Sequence, residues 1–259
     1  MNDILSAEEL LSQIKYSLEK KRPLSIVRYG DGEAIMLNGF NDTSSLKMIL
    51  KRQLGYIPSI DQAEEMRENL IKAYLECDII GLPVTNEAPK NDQDYWSRAQ
   101  KLLKENVDMD ILNKKSLVSI DTHSHFLDKD YYTQLLTGLD TLNYVSCRDL
   151  DKEFKERFGI RVVNKFIISP EVKFDNTYEG DRHYPTQFNQ IQKWMDRAIN
   201  CEGSLCLTGA GVVGKIYNNW FRDRGGVAFD IGSIFDSWTG KCTRGPERGL
   251  NAIDNTYKL

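Results

Sequence analysis

Apolar positions along the chain follow two alternating rhythms. Leu10, Leu11, Ile14 and Leu18 recur every three to four residues, the spacing that lines one side of a helix. Ser6 and Glu9 stand ahead of them at the separation a capping box requires. Pro23 disfavours helical backbone in the residue before it, so this first helix is expected to stop near Lys21. Residues 24–27, Leu-Ser-Ile-Val, then form a run of strand length. Comparable runs follow at 78–82, 116–120, 141–145, 161–168, 204–207 and 227–230. Between them the spacing predicts helices over 43–53, 61–76, 93–105, 126–136, 149–158, 184–200 and 211–222.

Strands that alternate with helices predict an α/β fold, a Rossmann-like, mostly parallel sheet with helices on both faces. One domain over residues 1–259 is expected, with the glycine- and charge-rich residues 240–259 as a surface tail. In such sheets ligands bind beyond the carboxyl ends of strands, so the residues that follow each apolar run matter most.

Composition narrows the class. With 41% hydrophobic and 28% charged residues, the chain can build a core and is too apolar for disorder. A formal net charge of −4 argues against a broad nucleic-acid surface. The opening MNDILSAEEL lacks the basic and apolar regions of a secretory signal, and no apolar run nears the ~18 residues that span a bilayer. Five scattered cysteines form neither a CxxC pair nor a zinc spacing. These features predict a cytoplasmic protein with no transmembrane segment and no nucleic-acid partner.

The first strand runs into Arg28-Tyr29-Gly30-Asp31-Gly32-Glu33. In extended backbone, residues two apart point the same way, so Asp31 and Glu33 would converge on one ion. Carboxylate oxygens suit magnesium or manganese, which keep open positions for substrate phosphates. Gly30 and Gly32 would let a phosphate approach the main chain, and Arg28 would grip it with its planar fork. The plain alternative is a surface turn, since Asp-Gly is a common turn pair.

Arg28 to Glu33, soon after a first helix, resembles the RFGDGE signature of the bacterial glycosyltransferases of the GT-D fold, with Tyr29 in place of the commoner Phe. A second stretch is similar to that family's glycine-rich strand-helix-strand near its C-terminus. It runs Leu207-Thr208-Gly209-Ala210-Gly211, then Gly214-Lys215, then Gly225 to Ser233 with an Asp230-Ile231-Gly232 element. The resemblance implies a GT-D-type sheet and transfer of a hexose from a nucleotide-diphosphate sugar, a UDP-sugar foremost, to a hydroxyl of a glycan or glycoprotein acceptor. It implies a DxE motif, here Asp31 and Glu33, that binds metal and nucleotide sugar, with manganese or magnesium as cofactor. Arg28, Tyr29, Gly30, Gly32, Gly209, Gly211, Asp230 and Ser233 are then the expected donor contacts.

Rival readings remain at this level. Gly209 to Gly214 also fits GxGxxG between a strand and a helix, with Asp230 about 20 residues on as a ribose-binding acid. An NAD-dependent oxidoreductase is therefore the rival enzyme, and a nucleotide-sugar-binding module without turnover the rival outside enzymes. The same glycines would equally serve helix–strand packing. Asp121-Thr122-His123-Ser124-His125 alternates three polar groups, but with only His183 elsewhere the set is short of ligands for a zinc site. Asp121 and His123 are instead expected on a loop at the binding edge, touching the acceptor or acting as base, with Asp236 as a further base. Trp194 and Trp220 read as core, and Trp238 as a stacking group beside the site.

Overall fold

The computed structural model describes residues 4–39, 43–83, 90–171, 179–197, 200–241 and 259. Strand β1 (Ile4–Leu5) leads into helix α1 (Ala7–Glu19), which opens on the expected capping box. Ser6 Oγ accepts from the Glu9 N–H and Glu9 Oε2 accepts from the Ser6 N–H. A cap of this kind contributes ~1 kcal/mol. Strand β2 (Leu24–Arg28) follows, then α2 (Asp31–Asn38), α3 (Thr43–Leu54), α4 (Ile60–Glu76) and β3 (Ile79–Leu82). Next come α5 (Lys90–Asn106), α6 (Met109–Leu112), β4 (Ser116–Ser119), α7 (Thr122–Asp128), α8 (Tyr131–Leu136) and β5 (Thr141–Ser146). The order closes with α9 (Asp151–Phe158), β6 (Arg161–Ile167), α10 (Phe188–Asp196), β7 (Leu205–Gly209), α11 (Gly214–Asp223), β8 (Val227–Asp230) and α12 (Ile234–Trp238).

Every expected strand is present, and the short elements β1, α2, α6 and α12 are additions that periodicity cannot detect over so few residues. The helix expected over 126–136 is two, because Asp130 takes left-handed backbone (φ 55°) between them. The one expected over 184–200 opens as a π turn over His183–Gln187, where Pro185 has no N–H to offer. The surface tail lies almost wholly in residues 242–258, outside the described residues.

All eight strands join one sheet in the order β1-β4-β3-β2-β8-β7-β5-β6, and every pairing is parallel. Right-handed crossovers then sort the helices. Steps from β2 to β3 to β4, and from β6 to β7 to β8, run toward the β1 edge and place α2–α6, α10 and α11 on one face. Steps from β1 to β2 and from β4 to β5 to β6 run the other way and place α1 and α7–α9 on the opposite face. Two separate cores agree with this sorting. One gathers Leu46, Met66, Leu103, Ile191 and Tyr217, the other Leu10, Phe126, Leu135, Phe154 and Trp238. The central strands are buried on both faces, as their near-continuous apolar runs require, whereas edge strand β6 alternates exposed and half-buried positions.

Because the strands are parallel, their carboxyl ends share one edge of the sheet. Neighbours β2 and β8 send the chain onward to opposite faces, through α2 and α12 respectively. A crevice opens at such a reversal.

Candidate functional site

Arg28 is the last residue of β2 and Asp230 the last of β8, so strand geometry alone brings them to this crevice. Arg28 Nη2 donates to Asp230 Oδ1 at 3.2 Å. Gly232 makes the approach possible: it has φ 54°, and a Cβ there would run into the guanidinium. Its own N–H donates to Asp230 Oδ1 at 3.1 Å. From the opposite face α7 delivers His123, whose Nε2 lies 2.9 Å from Arg28 Nη1 and whose Nδ1 lies 2.9 Å from the Ile120 carbonyl oxygen. The tautomer that satisfies both carries its proton on Nδ1 and offers the Nε2 lone pair to Arg28.

Lys215, in the first turn of α11, enters from the other side. Its Nζ lies 2.5 Å from Glu33 Oε1 and 3.0 Å from Asp230 Oδ2, and it donates to the Gly211 carbonyl at 3.0 Å. The Asp230 contact is charge pairing without the alignment of a hydrogen bond. Lys215 is 3% exposed, Asp230 1% and Glu33 6%, so one cation and two carboxylates are enclosed together, with Arg28 partly exposed beside them. Burial pushes the Asp230 carboxyl up, but Arg28 and Lys215 outweigh it and hold the group at about 2. Burial pushes Lys215 down, and Asp230 and Glu33 outweigh that to leave it above its ordinary value. Arg28 is likewise raised, burial being outweighed chiefly by Asp230. Arg28 is not saturated: its Nε has no hydrogen-bond partner among the described residues.

The acidic motif departs from its expected geometry. Asp31 to Asn38 is helix, with Gly30 as the extended N-cap, so Asp31 and Glu33 diverge by ~200° instead of pointing together. Glu33 turns back, and its Oε2 accepts from the Gly30 N–H at 3.0 Å while Oε1 meets Lys215. The pair therefore does not fit an ion held jointly by Asp31 and Glu33. Among the described residues no group of three His, Cys, Asp or Glu side chains could hold a metal.

The expected glycine cradle is occupied by protein. A Cβ on Gly32 would lie 2.8 Å from Gln53 Nε2, and one on Gly211 (φ 58°) would lie 2.8 Å from Gln53 Oε1. Gln53 Oε1 also accepts from the Val212 N–H at 3.2 Å. A Cβ on Gly209 would meet Gly232 O and the Phe235 ring at 2.6 Å, which is helix–strand packing. Tyr29 is core: its hydroxyl donates to the Ala99 carbonyl and its ring meets Tyr74 edge-on at 5.5 Å. Ser233 is half-buried ahead of α12. Asp230, bonded to Arg28 and enclosed, is not presented to a ribose.

Two expected bases are also committed elsewhere. Both His123 nitrogens are engaged, so His123 is a positioning group for Arg28. Asp236 Oδ1 accepts from Arg148 Nε at 2.7 Å. Asp121, just past β4, is exposed. Trp238 is 2% exposed among Tyr132, Phe154 and Phe235, a core residue and not a stacking platform. Trp194 and Trp220 are partly buried against the other core.

The sequence model of the GT-D fold-like domain matches residues 5–166. Arg28, Glu33 and His123 fall inside that stretch, whereas Lys215 and Asp230 lie beyond it. Among solved structures, one from Streptococcus sanguinis, described as a new glycosyltransferase (DUF1792), is 19% identical. It covers 91% of this chain and 83% of its own, with a TM-score of 0.55. Another, described as the domain of unknown function 1792 with a distinct glycosyltransferase fold, is 16% identical over 89% of this chain and 78% of its own, with a TM-score of 0.54. At such identities the likeness is one of fold. No curated protein matches the chain.

Proposed function

The chain belongs to the GT-D-like family, and on that premise we propose that it is a hexosyltransferase using a nucleotide-diphosphate sugar, a UDP-hexose foremost. The acceptor is a hydroxyl of a glycan or glycosylated protein. The observation that supports this reading is Arg28: a guanidinium fixed at the carboxyl end of β2 by His123 and Asp230, on a side chain that is 16% exposed.

Cleavage of the anomeric bond builds negative charge on the departing diphosphate. A preoriented guanidinium stabilises that charge without reorganising at the moment of reaction, and losing such a donor costs ~10²–10³ in rate. Asp230 and His123 hold Arg28 from two sides, so the fork is oriented before the donor arrives. Asp121, exposed and two residues before His123, is the carboxylate assigned to take the proton of the acceptor hydroxyl.

Calorimetric titration of UDP and of NAD into the purified protein tests the ligand class, and release of UDP from UDP-glucose or UDP-galactose tests turnover. UDP binding that is lost in Arg28→Met supports the reading. NAD binding alone would return the case to the oxidoreductase, and UDP binding with no turnover on any acceptor would leave a binding module.

A further inference from the structure

Two carboxylates do converge on a cation in this protein, but they are not the two of the acidic motif. Glu33 comes from α2 and Asp230 from the end of β8, and Lys215 Nζ sits between them at 2.5 and 3.0 Å. We propose that the Lys215 ammonium is the resident cation of a closed Glu33–Asp230 carboxylate site, the position a divalent ion would otherwise take.

Three observations carry the assignment. The carboxylates reach one point from opposite sides of the β2–β8 crevice, which a helical Asp31-Gly32-Glu33 cannot do by itself. Asp230 Oδ2 is buried and has charge pairing with Lys215 but no aligned hydrogen bond, so its lone pairs suit a ligated ion as well as an ammonium. Charge is already balanced: Arg28 and Lys215 oppose Glu33 and Asp230 in one cluster, three of whose four members are buried. A divalent ion added beside Lys215 would leave two uncompensated positive charges there, which burial penalises heavily. Replacing Lys215 by a short neutral residue opens both the space and the charge for such an ion.

Manganese alone is the probe, so the outcome does not depend on which nucleotide the protein binds. Wild type and Lys215→Ala are titrated with Mn²⁺ and followed by electron paramagnetic resonance, with melting temperature read in parallel. Wild type is expected to show no saturable Mn²⁺ binding and no change in melting temperature. Lys215→Ala is expected to bind Mn²⁺ at least about tenfold more tightly and to melt higher with the ion than without it. Adding Glu33→Gln to that variant should abolish the gain, whereas adding Asp31→Asn should keep it. Saturable Mn²⁺ binding by wild type that Asp31→Asn or Glu33→Gln removes would overturn the proposal. So would a Lys215→Ala protein that gains no affinity. If Lys215→Ala does not fold in chelator, recovery of the fold in Mn²⁺ supports the proposal and failure to recover overturns it. Failure of the transferase reading would show separately, as absent turnover in wild type whatever manganese does.

Discussion

Helix α11 meets the sheet through two polar sets that differ in kind. Along its middle, Asn218 and Asn219 form a neutral set in which each amide is engaged at both ends. Thr208 Oγ1 donates to Asn218 Oδ1 (2.5 Å) and Asn218 Nδ2 donates to the Ile26 carbonyl (2.7 Å). Ser25 Oγ donates to Asn219 Oδ1 (2.6 Å) and Asn219 Nδ2 donates to the Ala73 carbonyl (3.0 Å). At its first turn the same helix contributes Lys215 to the ionic set, where the buried Arg28 Nε has no hydrogen-bond partner among the described residues. The neutral set binds helix to strands through the oxygen and the nitrogen of each amide. The ionic set also joins elements, yet it lies at the strand ends, where the Arg28 side chain stays 16% exposed. Satisfaction of hydrogen bonds separates a structural polar cluster from a candidate site better than burial of the carboxylates and lysine does, since Glu33, Lys215 and Asp230 are as enclosed as the asparagines and only Arg28 is partly exposed.

The largest expected effect breaks the ionic set at its hub. Lys215→Met leaves Glu33 and Asp230 enclosed without their shared cation, and removing one partner of a buried pair costs ~3–5 kcal/mol. Urea unfolding measures this; a loss below ~1 kcal/mol would mean that water already reaches the cluster. Arg28→Lys sharpens the other side of the contrast. It keeps a positive charge near Asp230 but removes the planar fork, so transfer should fall by ~10²–10³ while stability changes little. An equal loss of stability and activity would instead make Arg28 a structural residue like the asparagines.

Much of this architecture is legible in the sequence, because long apolar periods survive one-dimensional reading. The seven expected strands and the expected layering on both faces depend on runs such as Ile79-Ile80-Gly81-Leu82 and on amphipathic spacing in α1 and α4. The site is legible only in part. Arg28 and Asp230 are readable because Arg28 directly follows the expected strand run 24–27 and Asp230 ends the run 227–230. The direction of Glu33 is not, because it depends on whether backbone after Gly30 is extended or helical, and eight residues of α2 give no strong period. Lys215 carries a signal that polarity-based reading discounts: a lysine followed by Ile216, Tyr217, Asn218 and Asn219 in a helix packed on the sheet. Gln53 leaves none, since its partners Gly32 and Gly211 are remote in sequence and its role is visible only where a Cβ would collide.

A third contact of α11 gives a pH test of intermediate size. His183 Nε2 and the Tyr217 hydroxyl lie 2.7 Å apart in the core, and burial pushes the imidazole down to about 3. Below its ordinary value of 6.5 the unfolded chain takes up a proton that the native imidazole refuses until about 3. Stability from this group is therefore full above 6.5 and is lost as pH falls toward 3. Between pH 7 and 4.5 the loss should be about 2–3 kcal/mol. His183→Gln should flatten that slope relative to wild type, and identical slopes would assign the acid sensitivity elsewhere. The carboxyl of Asp230, held at about 2, contributes in a lower window: its stabilisation is present above 3.8 and fades as pH falls through about 2.

The smallest effect falls on the neutral set and is the sharpest test of the distinction. Asn218→Ala strips partners from the Ile26 carbonyl and the Thr208 hydroxyl, both of which stay buried, and should cost ~1–3 kcal/mol of stability. Turnover per folded molecule should stay within about twofold, because a set engaged within the fold transmits little when the strands it holds are fixed by sheet pairing on both sides. Thr208 is the place where this argument is most exposed. It bonds Asn218 through its side chain, while its carbonyl accepts from the N–H groups of Ile231 and Gly232, beside the glycine that seats Arg28. A tenfold fall in transfer with the fold intact would show that Asn218 steers Arg28 through Thr208 and Gly232. The two polar sets would then be one machine, and hydrogen-bond satisfaction would no longer separate them.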